Sequence, residues 1–471
     1  MKTHFAVVLA GISSVALLVP GCAVGPNYKR PVIDAPANFR NAQPSTNTLA
    51  DVQWWELYKD ETLNSLIRTA LTNNYDLRIA STRVEQARAI AGQAKAQFVP
   101  RVGYEGATSR GRNEFLGNAN PPGPTGARTG DAAYAALNAS WEIDLWGRIR
   151  RLNESARASF LASEEGRRGV RLSLVAEVAQ AYFELLELER RLQIANRTTD
   201  SFKESARIFS QRFEAGSASK LDTARAEAAL ASTAANVPDI ERQIALKENQ
   251  ISVLLGQNPG PIAHNAKLDD QVLPPEVPAG LPSALLERRP DIRQAEQNLR
   301  SANAQVGVSV AEFFPKIGLT TFFGKVSGEL SAFTAGSANA WSAASSLSGP
   351  IFQGGALVGQ YREAKAKREE ARLRYEQTAL NAFQEVANSL VTREKLEAIR
   401  TEQARAVTAY EQAVELALQR YTDGKAAYFE VLEAQQQLFP AENSLARTEL
   451  NRLLVIVQLF KALGGGWEEA K

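Results

Sequence analysis

The stretch Arg212-Phe-Glu-Ala-Gly-Ser-Ala-Ser-Lys-Leu-Asp-Thr-Ala-Arg-Ala-Glu-Ala-Ala-Leu230 has a helical pattern on both sides of one glycine, Gly216. A second stretch, Arg420-Tyr-Thr-Asp-Gly-Lys-Ala-Ala-Tyr-Phe-Glu-Val-Leu-Glu-Ala-Gln-Gln-Gln-Leu438, has Gly424 in the same place. Glycine is the usual residue just past a helix end, because it adopts the left-handed conformation without a steric penalty. Each stretch therefore predicts the tip of a helical hairpin.

The two stretches indicate an internal duplication of a large unit. Upstream, Phe98–Gly103 matches Phe313–Gly318, and Asp76–Arg78 matches Asp291–Arg293. The two tips are about 208 residues apart, and the two members of each upstream pair are about 215 residues apart. Such a period is too long for a solenoid repeat. The first half therefore has roughly seven extra residues, which we place in the Asn-, Gly- and Pro-rich run Gly106–Gly130.

Composition excludes several classes of function. The net charge is +2, which gives no electrostatic reason to expect nucleic acid binding. With two histidines and one cysteine, a single chain cannot build a zinc site, a Cys/His catalytic pair or a disulfide. A Ser-His-Asp triad would need His264, which lies in a Pro- and Gly-rich stretch without a nucleophile-elbow motif. We therefore expect no enzyme activity, no metal and no non-covalent cofactor.

The N-terminus predicts export and a lipid anchor. Residues 1–21 have a weakly basic start and an apolar run that is too short to span a bilayer, as in a signal peptide. The run ends in Leu18-Val-Pro-Gly-Cys22, which resembles a bacterial lipobox. On that interpretation Cys22 carries a covalent lipid such as palmitate, and Ala23 after it favours sorting to the outer membrane. The alternative is an unmodified thiol in a secreted chain.

Long helices occupy much of the chain. Proline is absent from Thr125–Val237 and from Ile351–Phe439, as long helices require. The stretch 150–213 would be ~95 Å long as one helix, at ~1.5 Å per residue. A helix of that length packs beside others as a coiled coil rather than inside a compact domain.

Four shorter stretches have the two-residue alternation of β-strands. Residues 133–143 alternate an apolar set with a mostly polar one, and 341–351 do so at the matching place of the second half. Partner strands are predicted at 101–110 and 316–325. Each run is close to the ~9–11 residues of a transmembrane β-strand.

The strands leave two interpretations open. They could form two soluble hairpins packed on a core. If they span a membrane, four strands cannot close a barrel, and open sheet edges are not viable in lipid. Several chains must then share one barrel, and three chains with cyclic symmetry would supply twelve strands.

Several motifs, in this order along the chain, resemble those of the outer-membrane factor family. They are Cys22–Pro31, Leu285–Arg293 with Phe313–Pro315, and Pro350–Gly355. The chain resembles the lipoprotein (OprM/NodT) type of these TolC-like channels, found in RND efflux systems. The resemblance implies an α+β homotrimer with a twelve-stranded outer-membrane β-barrel continuous with a long α-helical coiled-coil tunnel in the periplasm. It also implies a periplasmic adaptor protein and an inner-membrane RND transporter as partners.

The duplication and the family together predict the following organisation. The segments are a signal peptide (1–21), a lipid-anchored equatorial part (22–62), a first repeat (63–255), an equatorial linker (256–283), a second repeat (284–459) and an equatorial tail (460–471). The first repeat has strands at about 100–110 and 132–144 and a tip at about 212–220. The second has strands at about 316–325 and 340–351 and a tip at about 420–428. We expect Trp54 and Trp55 to anchor the first equatorial part by packing.

The resemblance also implies a pore gate near the second tip. The family's acidic ring corresponds to Glu433, its bulky apolar constriction to Phe429, and its frequent arginine to Gln436 here. Because that arginine is missing, repeat symmetry suggests a substitute. Glu433 would pair with Arg225 or Lys220 across neighbouring helices of the closed channel. The alternative is that Glu433 is a solvated charge on a helix face.

The hairpin tips are the predicted docking site for the adaptor. The family's Arg-x-x-x-Gly tip corresponds to these residues: Arg212, Gly216, Ser217, Arg420, Gly424 and Lys425. The simpler interpretation is that the glycines only cap helices, and both can hold. Efflux of small molecules such as drugs, and hence multidrug resistance, is the leading functional hypothesis. The alternatives are a duct for ABC-driven protein secretion and a structural lipoprotein that tethers envelope layers.

Overall fold

The computed structural model describes residues 23–39, 53–112, 129–274, 282–328 and 332–465. The chain divides into two compact units. The first comprises 1–31, 85–162 and 296–374, and the second 32–84, 163–295 and 375–471. The helices are α1 (Glu61–Asn73), α2 (Tyr75–Ala96), α3 (Arg148–Glu214), α4 (Lys220–Ala234), α5 (Asn236–Leu254), α6 (Leu285–Arg288), α7 (Pro290–Ala311), α8 (Ala356–Thr422) and α9 (Tyr428–Ala462).

The predicted duplication is confirmed by the lengths of matching elements. The long helices α3 and α8 both have 67 residues, and α2 and α7 both have 22. The first strands of the two repeats, β1 (Arg101–Arg112) and β3 (Lys316–Ser327), both have 12 residues. The repeats differ in their second strands, β2 (Thr129–Ile143) with 15 residues and β4 (Asn339–Ser348) with 10. The extra length of the first repeat therefore lies in its β-hairpin.

The first unit contains one antiparallel sheet with the strand order β1-β2-β3-β4. The two hairpins join through β2 and β3, where Leu137 pairs with Phe323. Tyr104 pairs with Leu137 on one side of that row, and Phe323 pairs with Trp341 on the other. The row thus crosses all four strands on one face. Its side chains are 87%, 56%, 71% and 75% exposed in strand order, so none of the described residues covers this apolar row.

Turn and cap chemistry explains where the first unit's main elements begin and end. Asp144 caps α3, because its carboxylate oxygens accept hydrogen bonds from the backbone N–H groups of Ile149 at 3.0 Å and Arg150 at 2.9 Å. The predicted strand 340–351 is wrong at its end, since β4 ends at Ser348. Gly349 and Pro350 follow, and proline cannot donate a ladder hydrogen bond.

The second unit has an aromatic core around its N-terminal part. Trp54 and Trp55 lie in a short 3-10 turn (Trp54–Tyr58) and are 0% and 2% exposed. Trp54 stacks on Phe460 with 5.6 Å between ring centroids and 12° between planes. The two tryptophans therefore pack as expected. Phe460 still belongs to α9, which ends at Ala462, so the predicted tail 460–471 begins too early.

Helix α9 runs through Pro440 without a break, although proline lacks an N–H and clashes with the preceding turn. The carbonyl of Gln436 therefore receives no helical hydrogen bond from residue 440. At a comparable distance from the first tip the chain does break, because α4 ends at Ala234 and α5 begins at Asn236. None of the described helices has an apolar stretch long enough to cross a bilayer.

Candidate functional site at the two hairpin tips

The two tips have the same backbone hydrogen bonds. Gly216 and Gly424 have φ angles of +73° and +70°, the left-handed conformation that glycine adopts without strain. In the first tip, the N–H of Ser217 donates to the carbonyl of Arg212 at 2.8 Å, and the N–H of Gly216 to that of Phe213 at 2.9 Å. This pair of bonds is a Schellman motif, which satisfies carbonyls left free at the helix end.

The second tip repeats the motif, with the N–H of Lys425 donating to Arg420 at 2.8 Å and that of Gly424 to Tyr421 at 3.1 Å. The six residues predicted to dock the adaptor are all exposed in the structure. A Cβ added to either glycine would meet no atom within 4 Å. The glycines therefore cap the helices and also leave the tip backbone accessible, so both interpretations remain compatible.

An aromatic cluster joins the two tips, and sequence analysis missed it. The ring centroid of Phe209 on α3 lies 4.1 Å from that of Tyr428 at the start of α9. Tyr421 at the end of α8 lies 5.4 Å from Tyr428. Ala206 and Ala226 are buried beneath the rings, and burial raises the pKa of Tyr428. Tyr421 and Tyr428 lie on either side of Gly424 in the second of the two stretches quoted first. This pair of tyrosines is the sequence signal that could have predicted the cluster.

The cationic side chains of the tips have different partners in the two repeats. The guanidinium of Arg212 lies over the Tyr421 ring, 4.6 Å from its centroid. Its repeat equivalent Arg420 instead forms an ion pair with Glu430 at 3.4 Å. A cation over an aromatic face contributes about 0.5–1 kcal/mol at an exposed site. The first tip thus contacts the second hairpin, whereas the charge pair of the second tip is internal.

The predicted gate residues Phe429, Glu433 and Gln436 lie at i, i+4 and i+7 along α9, on one helix face. All three are exposed, as are Arg225 and Lys220. Within the described part of one chain, Glu433 forms no ion pair, and Arg225 lies over the Phe429 ring at 5.9 Å. The structure therefore brings Arg225 to the predicted constriction residue but not to the predicted acid. The pairing of Glu433 stays a prediction for contacts between copies.

Polar contacts hold α9 against both long helices behind the tips. On the α3 side, Gln435 donates to Ser201 at 2.9 Å, and Arg197 forms an ion pair with Glu442. On the α8 side, the Arg452 guanidinium lies 2.9 Å from the Glu397 carboxylate. These contacts determine which face of α9 packs on the long helices, and therefore where the exposed gate residues lie.

The single histidine of the described residues has a structural role. His264 Nε2 lies 3.0 Å from the Glu189 carboxylate, which raises the pKa of the imidazole. No nucleophile contacts it among the described hydrogen bonds. The described chain also has no group of three His, Cys, Asp or Glu side chains placed to hold a metal ion. Cys22 lies outside the described residues, so its predicted lipid stays a prediction.

Comparison with known proteins identifies the family. A family model described as outer membrane efflux protein matches residues 66–257 and 281–465. The toluene efflux pump outer membrane protein TtgC of Pseudomonas putida is 34% identical over 468 residues, covering 98% of this chain and 96% of that protein. The cation efflux system protein CusC of Escherichia coli O6:H1 is 32% identical over 468 residues, covering 97% and 98%. The solved outer-membrane channel OprN has a TM-score of 0.87 and 32% identity, covering 95% of this chain and all of that one.

These similarities confirm the resemblance found in the sequence motifs. The fold class is that of the trimeric outer-membrane channels, in which three chains with four strands each form a twelve-stranded barrel. The family consists of transport channels rather than enzymes. The chain belongs to the outer membrane efflux protein family, and it is an efflux channel of the bacterial outer membrane.

Proposed function

We propose that this chain is the passive outer-membrane duct of a tripartite RND-type pump. Three copies form the barrel and a periplasmic helical tunnel, and an inner-membrane RND transporter supplies the driving force through an adaptor protein. The observation that carries the proposal is the pair of exposed Schellman tips in a chain that also has an uncovered apolar row across its strands. The tips offer accessible backbone to a protein partner, and the row offers an apolar surface to lipid.

The adaptor docks at the tips, through backbone near Gly216 and Gly424 and the side chains around them. Site-specific photocrosslinkers at Ser217 and Lys425 in living cells should capture an RND-type adaptor. A crosslinker at Glu241, exposed on α5, is the control and should not capture it. Capture of an ABC-type secretion adaptor would support protein export instead. An empty result from both tips, with trimers intact in the outer membrane, would contradict the pump assignment.

The gate lies on α9, with Phe429 as the constriction and Glu433 as an acidic ring formed by three copies. Three carboxylates that face one axis repel each other and favour cations in the pore. Glu433→Lys should therefore change closed-state conductance and lower cation preference in planar bilayers, whereas Glu241→Lys should change neither. Unaltered conductance and selectivity in Glu433→Lys would show that Glu433 is only a solvated surface charge.

The exported substrate is a class of small molecules selected by the pump rather than by the duct. The two relatives above are named for toluene and for cations, although both are about equally similar to this chain. Deleting the gene should sensitise cells to the substrates of the pump whose adaptor is captured. Resistance should return with a different channel that accepts the same adaptor.

Cys22 is the lipid-bearing residue and anchors the mature chain in the outer membrane. The lipobox-like segment before it supports this assignment. Mass spectrometry of the N-terminal peptide should find an acylated cysteine, and radiolabelled palmitate should enter the protein but not a Cys22→Ser variant. An unmodified thiol at Cys22 in the mature protein would refute the lipid assignment while leaving the channel fold intact.

A further inference from the structure

The face of the sheet opposite the apolar row carries two cations at the end that joins the helices. Arg101 is the first residue of β1 and Lys316 the first of β3, and the internal duplication makes them equivalent positions. Each is an odd number of residues from the member of the apolar row in its own strand, Tyr104 or Phe323, so both cations lie on the other face. In a barrel that turns its apolar face to lipid, this other face lines the lumen.

A hollow of about 390 Å³ lies beside both cations. Side chains with hydroxyl groups line it on the same luminal face: Ser140, Thr320, Ser346 and Ser348. A hydroxyl can donate a hydrogen bond to an anion, and a guanidinium presents a planar fork of N–H donors that matches a carboxylate. The hollow therefore offers the donors that an anionic group needs.

A glycine follows each cation at the next luminal position, and this arrangement occurs in both repeats. A Cβ added to Gly103 would lie 2.8 Å from Oδ1 of Asn138, which is opposite it on β2. A Cβ added to Gly318 would lie 2.8 Å from Oγ of Ser346, which is opposite it on β4. A polar side chain thus occupies the space above each glycine. Diagonal neighbours on one face are about 7–8 Å apart, within reach of a long side chain, so Asn138 and Arg101 can hold one anion together.

Two carboxylates beside the hollow are already paired. Arg148 donates to both carboxylate oxygens of Glu142, each at 2.8 Å, which compensates the charge of Glu142. Lys316 pairs with Glu312 at 2.8 Å, but the two side chains are 43% and 29% exposed, and such pairs are weak. Arg101 forms no ion pair with any residue in the described ranges. Arg101 is therefore the uncompensated charge of the hollow, and Lys316 is a partly compensated one.

Closure of the barrel brings six of these cations to the junction of barrel and tunnel. With the strand order β1-β2-β3-β4, the free edges β1 and β4 must meet between neighbouring copies. The strand β4 contains no charged residue, so it supplies no carboxylate to Arg101 of the next copy. Arg101 and Lys316 begin alternate strands, and threefold symmetry repeats the pair around the axis.

We propose that Arg101 and Lys316 form a luminal anion site, which holds the carboxylate groups of organic anions on their way out through the barrel. The inference rests on the proposed duct, because an exported solute must pass this junction. A transit site has to bind strongly enough to admit the solute and weakly enough to release it. An exposed guanidinium with a few hydroxyls meets both conditions. The ligands of the site are small molecules that carry a carboxylate.

The test measures how citrate blocks potassium current through the full-length channel in planar bilayers. The hydrophilic tunnel stays on the side to which protein is added, so the barrel mouth opens to the other side. Citrate added at the barrel mouth should block the parent. Arg101→Gln should raise the concentration for half-block about tenfold, since it removes a charged hydrogen-bond donor. Lys316→Gln should raise it by about threefold, because Glu312 already compensates part of that charge.

Two matched variants separate a built site from a general effect of charge. Arg110→Gln removes a cation of the same strand on the opposite face, and the block should not change. Asn138→Ala removes no charge but takes away the donor above Gly103, and it should raise the concentration for half-block about threefold. A block that weakens in Arg101→Gln but is unchanged in Asn138→Ala would mean a diffuse field of charge and would overturn the site.

Two further outcomes overturn the inference. One is a parent channel that citrate does not block from the barrel mouth, and the other is an equal block in the parent, Arg101→Gln and Lys316→Gln. The potassium current of the parent reports on the duct separately, because a chain that forms no conducting trimers contradicts the proposed function itself. If Arg101→Gln fails to insert, Lys316→Gln and Asn138→Ala decide by the same comparison.

Discussion

The two hairpin tips share a backbone and differ in the side chains that stabilise it. Both end their long helix with the same pair of Schellman hydrogen bonds and a left-handed glycine. In the first tip, Ser219 caps the start of α4, because its hydroxyl accepts a hydrogen bond from the N–H of Asp222 at 3.2 Å. In the second tip, Ala427 occupies the capping position before α9, and its methyl group cannot accept a hydrogen bond from the helix. The first tip is locally complete, whereas the start of α9 depends on the packing of Tyr428 against Phe209.

The difference shows what a duplicated unit keeps. A left-handed glycine is the only residue type that closes the turn without strain, so both copies keep it. A helix cap can be replaced by tertiary contacts, and the second copy has done so. We therefore expect the second tip to lose structure whenever the first one is disturbed, but not the reverse. Four experiments test that asymmetry, from the largest expected effect to the smallest.

Phe209→Ala should destabilise both tips. Phe209 is 4% exposed, and truncating a buried phenylalanine costs about 3–5 kcal/mol. Hydrogen exchange should show faster exchange at the start of α9 as well as in α3. The matched control is Phe213→Ala, one turn further along α3 and 44% exposed, which should have a small effect. Exchange that rises only within α3 would show that α9 does not depend on this ring.

Gly216→Ala and Gly424→Ala should have the same local cost in free energy, each at its own turn, because their φ angles are nearly equal. Only Gly216→Ala should also speed exchange at the other tip. An L-residue in the left-handed region costs about 1–2 kcal/mol. Gly359→Ala, inside α8 with open space around it, should instead stabilise its helix by about 0.5–1 kcal/mol. Hydrogen exchange of the three segments measures all of these effects. Unequal costs at the two tips would mean that the caps are not equivalent.

Ser219→Ala and Ala427→Ser should have opposite effects. Removing an N-cap hydroxyl costs about 1 kcal/mol, and Ala427 already has the extended backbone, with φ of −77° and ψ of 148°, that a capping residue adopts. Ser219→Ala should speed exchange in α4, and Ala427→Ser should slow it in α9. If Ala427→Ser has no effect, tertiary packing already supplies all the order that a cap could add.

The charged contacts of the tips should respond differently to salt. Arg420 and Glu430 are 58% and 43% exposed, so their pair contributes about 0–1 kcal/mol and is screened at ~1 M salt. The effect of Arg420→Gln on exchange at its tip should therefore vanish in high salt. The effect of Arg212→Gln on exchange should persist in high salt, because part of the Arg212 interaction is direct contact with the Tyr421 ring. Equal salt dependence would contradict the two assignments.

Local signals account for the parts of the fold that the sequence predicted. The turn at Gly216 depends on one residue's φ, and the strands on alternation over a few neighbours, so both can be found without tertiary information. The lengths of the two repeats could also be estimated from the sequence, because matching motifs in the two copies can be aligned with each other. The same reasoning placed the end of β4 three residues late, since the alternation of side chains continues to Ile351 while the backbone already turns at Gly349 and Pro350.

The contacts that distinguish this chain were not accessible in that way. Phe209 and Tyr428 lie more than two hundred residues apart, and no local pattern pairs them. Arg151 has the pattern of an ordinary charged residue in a helix, yet it is buried against residues 24–27. The predicted partner of Glu433 was inferred from repeat symmetry, and symmetry fixes backbone positions better than side-chain partners.

Pro440 gives α9 a defined point at which its direction can change. Residue 440 lies twelve residues from the start of the helix, or ~18 Å at ~1.5 Å per residue. With one backbone hydrogen bond already absent there, bending costs less than elsewhere in the helix. A change of direction of about 10° at Pro440 would move the beginning of α9 by ~3 Å, comparable to the reach of a hydrogen bond. In mechanical terms α9 is a lever, whose short arm carries Phe429 and Glu433.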